Sequence, residues 1–223
     1  MYGWVHNCLK ESLLALCGES KWREICEKAG LDVSAAVQKD TYVDDERYFA
    51  LVDAALEMLP HMTSQDLYDL YGDHFISYLE NNGYDTYLHT FGDTLFDLLN
   101  NVNRLHSHLA CSMDKMKVPS ISCQECAGKD SKDCFALCYS SPRGARLKGM
   151  LVGLVKSLAR QYFQSTVKLT ELTNEIDQTT SNPMTIWEVK HAQMYYMSDV
   201  IARLILCCIG SAGLQHFKVI VSL

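Results

Sequence analysis

Nowhere in this 223-residue chain do five basic residues run together, and the formal net charge is −7. Binding to nucleic acid needs clustered Lys and Arg to neutralise phosphate, so that class is excluded. Paired carboxylates, a nucleophile–base constellation and a phosphate loop are also missing, which argues against enzyme chemistry. The N-terminus lacks the cationic flank and apolar run of a signal peptide. The apolar stretch Val200 to Leu214 is broken by Arg203. Its uninterrupted part falls well short of the roughly 20 residues that span a bilayer, so no membrane span is expected. Repeats and low-complexity segments are absent too.

What is present is a core. A hydrophobic fraction of 48% with 21% charged residues describes a globular protein of one large domain, or of one domain with a tail. Ten cysteines fall below the disulfide density of small secreted modules. Without an export signal they read as reduced thiols of a cytoplasmic protein.

The first half patterns as helices. Val5 to Cys17 and Ser20 to Ala29 are separated by Gly18, a helix-ending residue. Asp45 to Leu59 follows, capped by Asp44 or Asp45 and stopped by Pro60. Thr63-Ser64-Gln65-Asp66 starts a helix through Glu80, and Asp93 opens another through Met113. After Pro119, Ser120 to Cys126 and Cys134 to Ser140 read as short strands around a turn at Gly128. Gly149 to Phe163 is helical again, and Val167 to Thr173 and Met184 to Val189 alternate as strands. The pattern predicts an α+β protein, with a helical N-terminal subdomain and an α+β C-terminal one.

Among eight histidines, His106 stands out. It lies on the apolar stripe Leu95, Leu99, Val102, Leu109 and Met113, whereas His108 lies with Asn101, Arg104 and Lys115. One imidazole therefore faces the core and its neighbour faces water. Downstream, Tyr139, Ser141 and Arg143 form a Tyr-x-Ser-x-Arg element. Alternation along an extended segment predicts three donors on one side, with Arg143 offering a planar fork for a carboxylate.

Five short elements carry a family resemblance: Met1-Tyr2-Gly3-Trp4-Val5, Gly83-Tyr84-Asp85-Thr86, Leu105-His106-Ser107-His108-Leu109, Met116-Lys117-Val118-Pro119-Ser120 and Tyr139-Ser140-Ser141-Pro142-Arg143. In order and spacing they resemble the haem-nitric oxide/oxygen binding (H-NOX) domains, closest to the β-subunit sensor domain of soluble guanylate cyclase. The resemblance runs from Met1 to about Lys190. It implies the H-NOX fold, with haem b between a helical subdomain and an antiparallel-sheet subdomain. It further implies His106 as proximal iron ligand, Tyr139, Ser141 and Arg143 on the propionates, and Pro119 against the porphyrin. Such charge-assisted bonds contribute about 1.5–3 kcal/mol each.

The resemblance also bears on the gas. Oxygen-binding members place a distal tyrosine on the helix after the Tyr-x-Ser-x-Arg element. Aligned on Gly153, Met150 stands there, with Leu151 or Gly149 as alternatives. None donates a side-chain hydrogen bond, and a bond of about 1.4 kcal/mol shifts an equilibrium about tenfold. Trp4, Val5, Leu9 and Phe75 complete an apolar distal set, unless the Trp4 N–H or the Tyr2 hydroxyl points inward. The expected ligand is nitric oxide, with carbon monoxide possible and oxygen disfavoured. Signalling would follow from cleavage of the iron–histidine bond and pass to a partner protein or to cyclase domains in trans. An oxygen-binding or redox-sensing haem protein of the same fold is the alternative, and a haem-free interaction module a third reading.

Two features stand outside this resemblance. Cys123, Cys126, Cys134 and Cys138 are spaced C-x2-C-x7-C-x3-C, open to structural zinc, thiol redox chemistry or plain reduced cysteines. Residues 191–223 form a tail of unknown role, in which Met194-Tyr195-Tyr196-Met197 could begin a docking helix.

Overall fold

Helices come first along the chain and strands last, and each boundary has a local cause. The computed structural model describes residues 1–33, 37–128 and 134–192. The tail, including Met194 to Met197, and the tip of the Gly128 turn lie outside the described residues.

Helix α1 (Gly3–Lys28) is two helical pieces joined at Gly18, whose φ of 75° is the left-handed conformation that glycine adopts without penalty. Helix α2 (Asp45–Met58) starts where the Asp44 carboxylate accepts a hydrogen bond from the Glu46 amide. Helix α3 (Ser64–Asn81) carries a full capping box, in which Thr63 and Asp66 satisfy each other's backbone amides. A short helix α4 (Asp85–Thr90) follows; hydrophobic periodicity gives no sign of so brief an element. Helix α5 (Leu95–Ser112) is capped by Thr94, one residue after the expected Asp93.

Strands β1 (Ser120–Glu125) and β2 (Cys134–Ser140) form a hairpin, and a 3-10 turn (Gly144–Leu147) leads into helix α6 (Lys148–Phe163). Strands β3 (Thr166–Ile176) and β4 (Pro183–Ala192) are each longer than their alternation predicts, so the connection between them is shorter. All pairings are antiparallel, in the order β1-β2-β4-β3.

The core has two parts. One packs α1, α2 and α3 around Leu9, Leu13, Tyr48 and Tyr71. The other packs α5 and α6 on one face of the sheet around Leu98, Phe135, Leu137 and Val155. Helices α3 and α6 bridge them at a backbone-to-backbone crossing. A Cβ at Gly72 would lie 2.5 Å from the Gly153 carbonyl oxygen, and one at Gly153 would overlap that of Tyr68.

Helix α5 also replaces a neighbouring strand for the edge of β1. The Asn103 amide donates to the Ile121 carbonyl (2.6 Å) and accepts from the Ile121 N–H (3.1 Å), while Asn100 accepts from the Cys123 N–H (2.8 Å). Edge groups that would otherwise be unpaired are thereby satisfied. Among the described residues, no helix is long and apolar enough to cross a membrane.

Candidate functional site

A cavity of about 370 Å³ lies where the two parts of the core meet, within the range of small-molecule sites. Its wall contains His106 and Val102 from α5, Pro119, Tyr139, Ser141 and Arg143, Trp4 and Val5 from α1, Phe75 from α3, and Met150 from α6. His106, Pro119, Tyr139, Ser141, Arg143, Trp4, Val5, Phe75 and Met150, all singled out in the sequence, thus border one space.

Helix α5 is fully buried only in its first turns, at Leu95, Leu98 and Leu99. Beyond them the same stripe is half-buried, because Val102, His106 and Leu109 face the cavity. Burial lowers the pKa of His106 and keeps its imidazole neutral, and its Nδ1 is buried with no hydrogen-bond partner among the described residues. His108, two residues on, is exposed.

The polar wall is built differently from the expectation. Strand alternation carries Tyr139 but stops at Ser140, and Arg143 sits in a turn with φ −88° and ψ 0°. Its approach to Tyr139 and Ser141 comes from that turn, fastened by the Arg143 N–H donating to Ser141 Oγ at 3.2 Å. Burial raises the pKa of Tyr139, while a hydrogen bond with Ser141 and the Arg143 charge pull it the other way; the net rise keeps the phenol a donor. Arg143 Nε donates to Asp45 Oδ2 at 2.9 Å and Nη1 to the Lys117 carbonyl at 2.7 Å.

Asp45 is a residue that sequence reasoning placed only as a helix cap. Asp44 takes the cap, leaving Asp45 to meet Arg143, Lys117 (3.4 Å) and the α-ammonium of Met1 (2.5 Å). Burial pushes the Asp45 carboxyl up, but the hydrogen bonds and charges of the Met1 ammonium and Arg143 outweigh it and hold its pKa at about 2. Burial moves the Met1 ammonium below its ordinary value despite Asp45. The carboxylate thus meets three cationic groups.

Two expected distal positions are corrected. Leu9 is fully buried in the helical core and Gly149 packs against Tyr68; neither borders the cavity, whereas Leu151 does. The Tyr2 hydroxyl is taken up by Asp114 (3.4 Å) and the Lys115 amide (3.3 Å). Tyr71 was not foreseen. It borders the cavity, and its hydroxyl is buried with no hydrogen-bond partner among the described residues. The Trp4 ring lies 5.4 Å from that of Phe75, and its N–H is buried without a partner among the described residues.

The four-cysteine set does not assemble. Cys123 shares a rung with Leu137 on the core face, whereas Cys138 and Cys134 lie on the other face, as the pleat requires.

The model of the haem-NO-binding family matches residues 2–171. The chain belongs to this family, whose members are haem-binding sensor domains related to soluble guanylate cyclases. Soluble guanylate cyclase gcy-37 of Caenorhabditis elegans is 27% identical over 171 residues, 76% of this chain and 23% of that protein. Guanylate cyclase soluble subunit beta-2 of Rattus norvegicus is 30% identical over 112 residues, 49% of this chain and 16% of that protein. The chain thus spans about a quarter or less of the length of these relatives.

The fold is the H-NOX fold. An H-NOX protein from S. oneidensis in the Fe(II) state superposes with a TM-score of 0.68 at 22% identity, covering 88% of this chain and 100% of the other. An oxygen-binding H-NOX domain related to soluble guanylate cyclases, solved as its oxygen complex, superposes with a TM-score of 0.67 at 15% identity, covering 88% and 97%. The residues present fit a haem. A neutral imidazole with an unpartnered buried nitrogen faces a mainly apolar cavity, and carboxylate-binding donors stand in its wall.

Proposed function

We propose that residues 1–190 form a haem-based nitric oxide sensor in which His106 ligates the iron of haem b. One observation carries this reading: His106 is kept neutral by burial and borders the same cavity as Tyr139, Ser141 and Arg143. A haem held by this one imidazole would supply the binding of a diatomic gas.

In this reading Arg143, Ser141 and Tyr139 hold the propionates as donors. Pro119, which borders the same cavity as His106, would line the haem. Trp4, Val5, Phe75 and Met150 would line the gas side; Val5, Phe75 and Met150 carry no side-chain donor for the hydrogen bond that oxygen requires, while nitric oxide and carbon monoxide need none. His106 would hold the haem from α5, and Asn100 and Asn103 tie that helix to β1, so a shift of α5 would be passed to the sheet. This is a ligand-biased two-state change. A signalling partner, or cyclase domains acting in trans in cGMP signalling, would read it.

Absorption spectra of the ferrous protein under argon, air and nitric oxide test the reading. A Soret band that shifts with nitric oxide and not stably with air is expected. His106→Gly should lose haem unless imidazole is added; full retention by that variant overturns the ligand assignment, and a wild-type chain that stays colourless with excess hemin overturns the whole reading. Two observations favour oxygen instead: the Trp4 N–H and the Tyr71 hydroxyl border the cavity, both buried and without a partner among the described residues. An air-stable complex that Trp4→Phe abolishes would replace nitric oxide with oxygen.

A further inference from the structure

On the face of the sheet away from the cavity, the turn end of the β1–β2 hairpin holds two thiols that the haem reading does not use. The ladder runs to Glu125 opposite Phe135, and its next rung sets Cys126 opposite Cys134. Their sulfur atoms lie 2.8 Å apart. We infer that Cys126 and Cys134 form a reversible dithiol–disulfide site whose oxidant is a low-molecular-weight disulfide, such as glutathione disulfide.

The separation distinguishes this from a metal site. Two thiolates on one tetrahedral zinc, each about 2.3 Å from the ion, are held about 3.8 Å apart. A disulfide needs about 2.05 Å. From 2.8 Å the pair closes by less than it would have to open. A third donor, Glu188, is nearby, and the three ligand atoms fall within 4.8 Å of one another. Its carboxylate is already engaged: Oε1 accepts from the Cys134 thiol at 3.6 Å, and Oε2 pairs with the Lys190 ammonium at 2.8 Å. Lys190 stands directly opposite Cys134 in the β2–β4 register, so a fixed positive charge flanks the pair and opposes a dication there.

Burial assigns the order of events. Cys126 is half-buried and reachable, whereas Cys134 is 2% exposed. The Cys126 thiolate attacks one sulfur of the small disulfide, forming a mixed disulfide and expelling one thiolate. Cys134 then displaces the second. The two protein thiols lose two electrons and two protons, and the small disulfide becomes two thiols. Cys134 is oriented for its step by the bond to Glu188.

The full-length protein is equilibrated in glutathione buffers of increasing oxidised fraction, blocked with N-ethylmaleimide and mapped by peptide mass spectrometry. The expected product is a peptide pair joined through Cys126 and Cys134, reversed by reduced glutathione. Cys134→Ser should hold Cys126 as a glutathione mixed disulfide, and Cys126→Ser should leave Cys134 unreacted until the chain is unfolded. The mapping on the unaltered chain needs no variant to fold. Both thiols remaining free to alkylate in fully oxidising buffer, or either cysteine joining a different one, would overturn the site. So would zinc that co-purifies in stoichiometric amount and shields both thiols, since that identifies a metal centre.

Discussion

The guanidinium of Arg143 meets the carboxylate of Asp45 at 2.9 Å across 98 residues of sequence. This contact joins the start of α2 to the turn before α6, and the α-ammonium of Met1 closes it from a third side. Two of the three guanidinium nitrogens are therefore committed to protein, which fixes the plane of the fork beside the cavity. Asp45 is a positioning residue for Arg143.

That geometry makes a prediction for acid. The Asp45 pKa is about 2 against an ordinary 3.8. A depressed carboxyl contributes stability above its unfolded pKa and loses it as pH falls towards its folded one. The contribution is therefore complete above about pH 5 and fades between pH 4 and pH 2, with a size of about 2 kcal/mol. Asp45→Asn should lower urea-unfolding stability at neutral pH by that order and flatten its change over that window. An unaltered profile would show that the cluster does not act on folding.

His6 governs a different interval. It is buried against Tyr48, its Nε2 is unpartnered among the described residues, and burial lowers its pKa to about 4 from 6.5. The native state resists a proton that the unfolded chain accepts, so stability is full above pH 6.5 and is lost as pH falls towards 4. The loss reaches about 3 kcal/mol at the bottom of that range. His6→Phe should remove most of this acid sensitivity, read as midpoint shifts between pH 6.5 and 4.5.

Gly153 tests the crossing of α3 and α6. Alanine there drives a methyl into the Tyr68 carbonyl, which belongs to backbone and has no rotamer to change. Gly153→Ala should cost about 1–3 kcal/mol in urea unfolding. A neutral result would mean that the helices separate at little cost.

Asn103 tests the link from the helix of His106 to the sheet. Its amide replaces a strand neighbour for Ile121, so Asn103→Leu should leave one N–H and one carbonyl of the β1 edge unpaired. A destabilisation of about 1–3 kcal/mol is expected. Hydrogen exchange at the Ile121 amide should rise more than at Leu137 in β2, and equal protection at both sites would deny the link.

Much of the fold was legible because its signals are local. The Thr63–Asp66 capping box, the break at Gly18 and the helical phase of His106 each depend on residues within a turn or two. Helix α4 escaped because six residues carry too little periodicity to read. Leu9 was misplaced for a different reason: period tells which residues are apolar, and not whether an apolar residue faces packed core or open cavity.

The site divides along the same line. Sequence alone determined that His106 would leave the surface, and that Tyr139, Ser141 and Arg143 would lie near one another, since three to five residues of chain cannot separate them far. Tertiary structure decided that Arg143 reaches the cavity through a turn, and that Asp45 and Met1 hold it there. It also decided that Cys126 meets Cys134 while Cys123 turns to the opposite face. Caps and periodicity are properties of neighbouring residues, whereas ion pairs and rungs between distant segments exist only once strand register and helix packing have brought those segments together.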